Sequence, residues 1–309
     1  MAYYYKLVSE DNIADIQYLI KAVYQQDRDL KIIKKKYDTS AFGHYTIGYI
    51  AYSVEDNLPA AYYGVFPCEF TYNNKVYLAA QSGDTMTHPN HRKKGLFVNL
   101  AKQTYDRAKE LGIEFVFGFP GEASYYGFVK KLEWQHKEDI CKFSFLAPCL
   151  PYSLIQKIIK PQNYLAWCNF ILKPFKSKTY PYSNKGNENP HLLRNDDYYK
   201  YKDKNGNYNI KFLGLNVWFQ VKGYNFIVAD VLSKSSTKPS KIIFKLRVLA
   251  FYLGIPRVLF HVSNNSALNK ILNQRFTSEK GLAIGYIDLL NTTLPLEQLN
   301  FTYSDFDTF

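Results

Sequence analysis

The chain has 309 residues, 47% hydrophobic and 17% aromatic, with a formal net charge of +12 at pH 7. That length is too great for one ordinary domain and suits two, and the apolar content is enough to build proper cores. The basic balance favours an anionic ligand, but the cations are spread along the chain with no RNA-binding signature, so nucleic acid is not expected as a partner.

In chain order, residues 3–8 read as a strand, and residues 9–11 offer caps for a helix carrying Ile13, Ile16, Leu19, Ile20 and Val23 at helical spacing. The lysine-rich KIIKKK run at 31–36 reads as a solvated helix or loop face. Residues 46–53 are strand-like, and Glu55-Asp56-Asn57 is a turn. Residues 60–71 and 75–87 form a hairpin about Asn73-Asn74, since Asn tolerates positive φ. Pro89, with no N–H to give, ends that second strand. His91-Arg92-Lys93-Lys94-Gly95 is then a loop, and Leu96, Leu100, Ala101, Ala108 and Leu111 share one helical face up to a Gly112 stop. An aromatic strand at 113–119 ends at Pro120-Gly121. A short helix follows over 122–132, closed by Glu133-Trp134.

Residues 146–190 are punctuated by Pro148, Pro151, Pro161, Pro174, Pro181 and Pro190 and read as a proline-rich helical linker, with an apolar piece at 164–172 suited to packing between domains. Residues 198–207 look polar and turn-rich. A hairpin over 212–221 and 224–232 turns at Lys222-Gly223. A helix is expected at 242–253, a strand at 255–262, a Ser/Asn-capped short helix ending at Arg275-Phe276, and a last strand at 282–289. The domain division is 1–145, the linker 146–190, and 191–309.

Cys68, Cys141, Cys149 and Cys168 make no Cys-x-x-Cys and no His cluster, which argues against a metal site and for reduced thiols. The opening MAYYYKLVSEDN lacks a signal-peptide layout, and no apolar run reaches the roughly 20 residues that span a bilayer. A soluble cytoplasmic protein is expected.

The strand–loop–helix unit at 81–112 carries the chemistry. A helix N-terminus has unpaired N–H groups and partial positive charge, and so favours phosphate. Gly95 lets the backbone approach a ligand closely, and Arg92, Lys93 and Lys94 add Coulomb attraction. Arg92-Lys93-Lys94-Gly95-Leu96-Phe97 resembles the pyrophosphate loop of the GNAT superfamily of acyl-CoA N-acyltransferases, whose pattern is Gln/Arg-x-x-Gly-x-Gly/Ala. Phe97 departs from the final small residue. The run from Met86 to Phe97 is most similar to the branch holding the enhanced-intracellular-survival aminoglycoside acetyltransferases, which also carries a larger apolar residue there.

The resemblance covers about residues 60–145. It implies an α/β (α+β) fold of tandem GNAT-like domains, with a mixed central sheet whose strands splay apart and helices flanking it. The second domain, 191–309, repeats the closing half of the first and has no Arg-x-x-Gly over 233–240, so it reads as a degenerate copy that shapes the acceptor pocket or packs on the first.

The implied co-substrate is acetyl-CoA, with no metal, and the partner is a small-molecule amine acceptor. Cofactor contacts fall on the backbone of Met86 and Thr87, the amides of Arg92, Lys93, Lys94, Gly95, Leu96 and Phe97, and Tyr125. Many family members place a Tyr four residues before the helix-ending Gly, where this chain has Val129; Tyr126, one turn earlier, is the preferred acid. Gln81 stands where some members have a basic Glu, and an uncharged amide cannot take a proton. Asp84 and the terminal carboxylate of Phe309, which the named branch uses, are therefore the other catalytic candidates. His44, His88 and His91 are further bases in principle, the last two on the cofactor side.

The expected activity is transfer of an acetyl or other acyl group from acetyl-CoA to a primary amine, with an amino sugar or nucleotide-linked amino sugar as acceptor. The alternatives are an aminoacyl transferase for cell-wall precursors that uses aminoacyl-tRNA, and a non-catalytic CoA-binding protein.

Overall fold

The computed structural model describes residues 2–149, 160–186, 188–204, 206–223, 225–233 and 238–309. Of the expected features, residues 150–159 and Asn187 of the linker, Asn205 of the turn-rich stretch, Tyr224 at a strand start and residues 234–237 before the later helix lie outside the described residues. The chain divides into two compact units, Met1–Lys137 with Leu282–Glu297, and Glu138–Gly281 with Gln298–Phe309. The first boundary thus falls at 137 rather than 145, and residues 282–297 return to the first unit.

In the first unit, β1 (Tyr3–Leu7), β2 (Ile47–Ser53), β3 (Pro59–Tyr72) and β4 (Lys75–Thr87) pair antiparallel in that order. The β3–β4 turn is tight because Asn73 and Asn74 hold φ of 48° and 61°, the left-handed pair that matches strand twist. Successive side chains on a strand point to opposite faces. Tyr62, Phe66 and Met86 therefore pack under α1 (Ile13–Tyr24) and α2 (Leu30–Tyr37), whereas Tyr63 and Val65 pack under α3 (Leu96–Glu110). Ile13, Ile16, Leu19 and Ile20 are buried as their spacing predicts, although a 3-10 turn at Glu10–Asn12 precedes the helix. After α3, Gly112 takes φ 79° and the chain enters β5 (Phe115–Gly118), parallel to β4. The short helix α4 (Glu122–Tyr126) leads into β6 (Gln135–Leu146).

The second unit takes residues 138–146 of β6 next to β11 (Arg257–Val262). The two-residue β7 (His191–Leu192), β8 (Asn207–Phe212), β9 (Leu215–Lys222) and β10 (Asn225–Leu232) come between them in sequence. β8, β9 and β10 are antiparallel, and β10 is parallel to β11. Both units thus run antiparallel strands, four in the first and three in the second, then a helix, a parallel strand and a closing antiparallel strand. Each closing strand comes from the other half of the sequence, because residues 285–288 of β12 (Glu279–Asp288) pair with β5.

Two expectations change here. The apolar piece at 164–172 is helix α5 (Pro161–Leu172), and Tyr164, Cys168 and Leu172 lie in the second unit's own core, so it is no linker. The segment read as turn-rich begins as helix α6 (Asp196–Lys202), because Asn195 accepts from the Tyr198 amide at 2.9 Å. Helices α7 (Pro239–Leu253) and α8 (Ala267–Leu272) stand where expected, the latter capped by Ser266.

Charge is buried in the second unit and is balanced. Arg194 donates to Asp230, to Thr302 Oγ1 at 2.8 Å and to Asp305 at 3.0 Å, while Lys202 donates to the Phe306 carbonyl at 2.6 Å. This network fastens the chain's last residues to that unit, and removing one partner would strand a buried charge. Replacing Asp230 by Ala is expected to cost about 3–5 kcal/mol in denaturant unfolding.

His261 lies against the Tyr303 and Phe306 rings, its Nδ1 without a hydrogen-bond partner among the described residues. Burial, with Lys142 nearby, lowers its pKa from 6.5 to about 4. Between those values the unfolded chain takes up a proton that the folded chain refuses, so stability is full above pH 6.5 and falls as pH drops toward 4. The expected loss is on the order of 3 kcal/mol, read by urea melts at the two pH values, and His261→Phe should remove that part of the pH dependence.

Candidate functional site

The site begins where β4 outruns its neighbour. β5 pairs with β4 only at Ala79, Ala80 and Gln81, yet β4 continues to Thr87. Past Gln81 that side of β4 has no β5 partner, the parting expected for splayed strands. On its other side the register to β3 shifts: Gly83 faces Gly64 but Met86 faces Tyr62, so Asp84 and Thr85 together oppose Tyr63. Asp84 absorbs this bulge with φ 51°, and such bulges re-aim the side chains near a site.

The loop that follows is pinned at its entrance. The His88 amide donates to the Ala60 carbonyl at 2.8 Å, and a 3-10 turn spans Pro89–His91. His91 is buried, with Nδ1 2.9 Å from the Tyr3 hydroxyl. His88 stacks on Tyr18, and its ring accepts from the Asn90 amide. Burial and the neighbouring His91 lower the His88 pKa. Both histidines, expected on the cofactor side, are engaged by protein partners that hold the loop's entrance. His44 is likewise engaged, 3.1 Å from the Leu111 carbonyl.

Beyond the pin, Arg92, Lys93, Lys94 and Gly95 are exposed. Lys93 has φ 61° and Gly95 φ 75°, so the backbone turns twice through the left-handed region before α3 starts at Leu96. No side chain caps α3, its first turn holds no acidic residue, and a Cβ at Gly95 would meet nothing within 4 Å. An open, uncapped, cation-flanked helix start is a fit for a diphosphate. Phe97, the departure from the loop pattern, turns its ring inward. It lies 5.8 Å from Tyr63 and 5.2 Å from Phe128, ring centre to ring centre.

Helix α4 does not end as a plain α-helix. Gly127–Lys131 form a π turn, whose extra residue offsets Tyr125 and Tyr126 from the α-helical register. Tyr126 is 65% exposed, so its hydroxyl is open to a ligand. The half-buried Tyr125 packs edge-on to His136. Glu133, where the family's Gly stands, takes φ 60°. Val129 is half-buried in the π turn. Gln81 is buried, its amide nitrogen without a partner among the described residues.

Asp84 is paired with Lys36 at 2.7 Å and accepts from the Tyr37 hydroxyl at 3.2 Å. Lys36 was expected on a wet face. The signal was present, since Ile33 and Tyr37, four residues apart, are the buried stripe of α2 and Lys36 borders it. A second cluster went unread in the sequence: Ser82 donates to the Tyr63 hydroxyl at 3.0 Å, Tyr63 and Tyr105 share a 2.7 Å bond, and Trp134 donates to Tyr105 at 2.8 Å.

Phe309 belongs to the second unit, where its ring packs on Trp218 and Tyr303 and its carbonyl accepts from Lys204. Among the described residues no three His, Cys, Asp or Glu are grouped to hold a metal, and no helix is long and apolar enough to cross a membrane. Cys68 and Cys168 are buried, and Cys141 and Cys149 are half-buried free thiols.

Comparison with solved structures gives the same fold. A GCN5-related N-acetyltransferase from Kribbella flavida superposes with a TM-score of 0.61 at 10% identity, over 94% of this chain and 72% of that one. A GCN5-related N-acetyltransferase from Anabaena variabilis gives 0.56 at 13% identity, over 93% and 73%. A conserved protein of unknown function from Enterococcus faecalis V583 gives 0.60 at 10%, over 94% and 73%. No curated protein matches the chain in sequence. The family model described as an acetyltransferase (GNAT) domain matches residues 4–136, the greater part of the first unit.

Proposed function

We propose that the first unit transfers an acyl group, acetyl in the first instance, from acyl-CoA to a primary amine of a small acceptor. The observation that carries this reading is the uncapped start of α3 behind two left-handed residues, beside the open edge of β4. Acyl-CoA supplies a thioester-activated acyl group when bound. The amides of residues 92–97 hold its diphosphate, with Arg92, Lys93 and Lys94 as counter-charges. The backbone of Met86 and Thr87, on the stretch of β4 that has no β5 partner, aligns the arm between the parted strands, and Tyr125 lines it.

Asp84 accepts the proton from the amine nitrogen, and Tyr126 gives a proton to the sulfur as it leaves. Phe309 is left out of this reading, because Lys204 and Trp218 hold it in the second unit. An amino sugar or nucleotide-linked amino sugar is the acceptor this reading favours, supported by the net charge of +12 and by Lys36 beside Asp84. Within the family, the run from Met86 to Phe97 supports a place near the enhanced-intracellular-survival branch.

A non-catalytic CoA-binding role has one observation in its favour, Gln81 and Val129 at the usual base and acid positions. Free-thiol release from acetyl-CoA with an amine panel separates the two, since only the transferase liberates thiol above the amine-free rate.

Asp tolerates positive φ better than most residues, so Gly95→Asp should fold yet place a like charge against the diphosphate. The expected loss in CoA affinity is about 3–4 kcal/mol, several hundredfold, read by isothermal titration. Unchanged affinity would refute the site. Tyr126→Phe should lower kcat by roughly 100-fold or more while CoA affinity holds; an unchanged kcat would remove Tyr126 from its role.

A further inference from the structure

The second unit holds a cavity of about 340 Å³ near its parallel strand pair, the step of the strand order at which β4 and β5 part in the first. β10 pairs with β11 only as far as Val228 opposite Phe260, yet runs on to Leu232, so these strands also part. In the first unit the helix packing beside the parted strands is filled by rings, Phe97 on Phe128 and Phe128 on Trp134 at 4.5 Å. The second unit puts aliphatic side chains there, among them Ile242, Ile243 and Leu246 of α7 and Leu268 and Leu272 of α8, and they leave the space open.

The cavity is not wholly apolar. Ser183 lines it, and its hydroxyl is buried without a hydrogen-bond partner among the described residues. The Ser183 amide donates to Asp230 at 3.0 Å, which fixes the residue in place. A buried hydroxyl left unmade costs free energy that a ligand oxygen would recover. The volume is roughly twice the ~150 Å³ apolar cavity that accepts benzene, which sets the ligand at on the order of ten carbons.

We infer that this cavity binds a straight medium-length acyl chain, with an oxygen of its head group hydrogen-bonded to Ser183. The site is distinct from the diphosphate loop, and binding needs neither Gly95 nor catalysis. A free carboxylic acid and the tail of an acyl thioester present the same chain chemistry, so decanoate and decanoyl-CoA are the two arms of the test.

Isothermal titration of decanoate into the full chain should show saturable single-site binding, weakening about fourfold for each methylene removed. Leu232 is 40% exposed at the mouth, so Leu232→Trp should block entry without disturbing the core and cut affinity at least tenfold. Ile243→Phe should do the same from the wall, and Ser183→Ala should weaken binding several-fold. Gly95→Asp should leave decanoate affinity unchanged, which separates this site from the proposed acyl-CoA site. Decanoyl-CoA binding that survives Gly95→Asp but is lost in Leu232→Trp would identify the thioester tail as the occupant; retention in neither arm leaves the free acid. Absence of saturable decanoate binding, or equal affinity across the wall variants and Ser183→Ala, overturns the inference. Should either bulky variant fail to fold, Ser183→Ala, which removes one oxygen, decides.

Discussion

Helix α3 starts at Gly95 with no side-chain cap among the described residues, and the rest of the first unit is arranged around that open start. Four orphan donors at a helix start ordinarily find a Ser, Thr, Asp or Asn cap. Here the cap position is Gly95, which offers none, and no carboxylate follows in the first turn. The surrounding devices keep that end open and fixed: Lys93 and Gly95 bend the backbone away, and His91 anchors the entrance on Tyr3. Phe97 then ties the helix to Tyr63 and Phe128. A rigid donor set costs little further ordering when an anion arrives, which is the advantage of preorganisation.

The second unit shows what the same strand order does without that loop. Lys238 is the cap position of α7 and Pro239 its first residue, so one amide donor is missing at the outset. Its bulge on β10, between Val228 and Asp230, parallels the bulge at Asp84 on β4. Asp84 is half-buried and faces Lys36 and Tyr37, whereas Asp230 is sealed against Arg194. One bulge thus leaves a carboxylate half-buried beside Lys36 and Tyr37, and the other uses it to fasten Thr302–Asp305 through Arg194. The divergence is one of neighbours rather than of backbone.

What the sequence reveals depends on how local the cause is. Asn73-Asn74, Gly95 and Gly112 declare their turns because positive φ selects residue type directly. The loop at 92–97 is legible for the same reason. The exchange of closing strands is not, since the alternating pattern of β6 and β12 is equally satisfied by either partner. Residues 198–207 misled because the helix that enters them rests on one cap, Asn195, and on burial of Tyr198 rather than on an apolar stripe. Lys36 and the Ser82–Tyr63–Tyr105–Trp134 chain depend on contacts across long sequence separations, which periodicity does not encode.

Amide hydrogen exchange with and without CoA tests the central claim most directly, because it reports on the donors themselves. The account predicts that added CoA slows exchange at residues 93–98, with no comparable change over the first turn of α7. Exchange at residues 93–98 that is indifferent to saturating CoA would contradict it, whatever the catalytic residues prove to be.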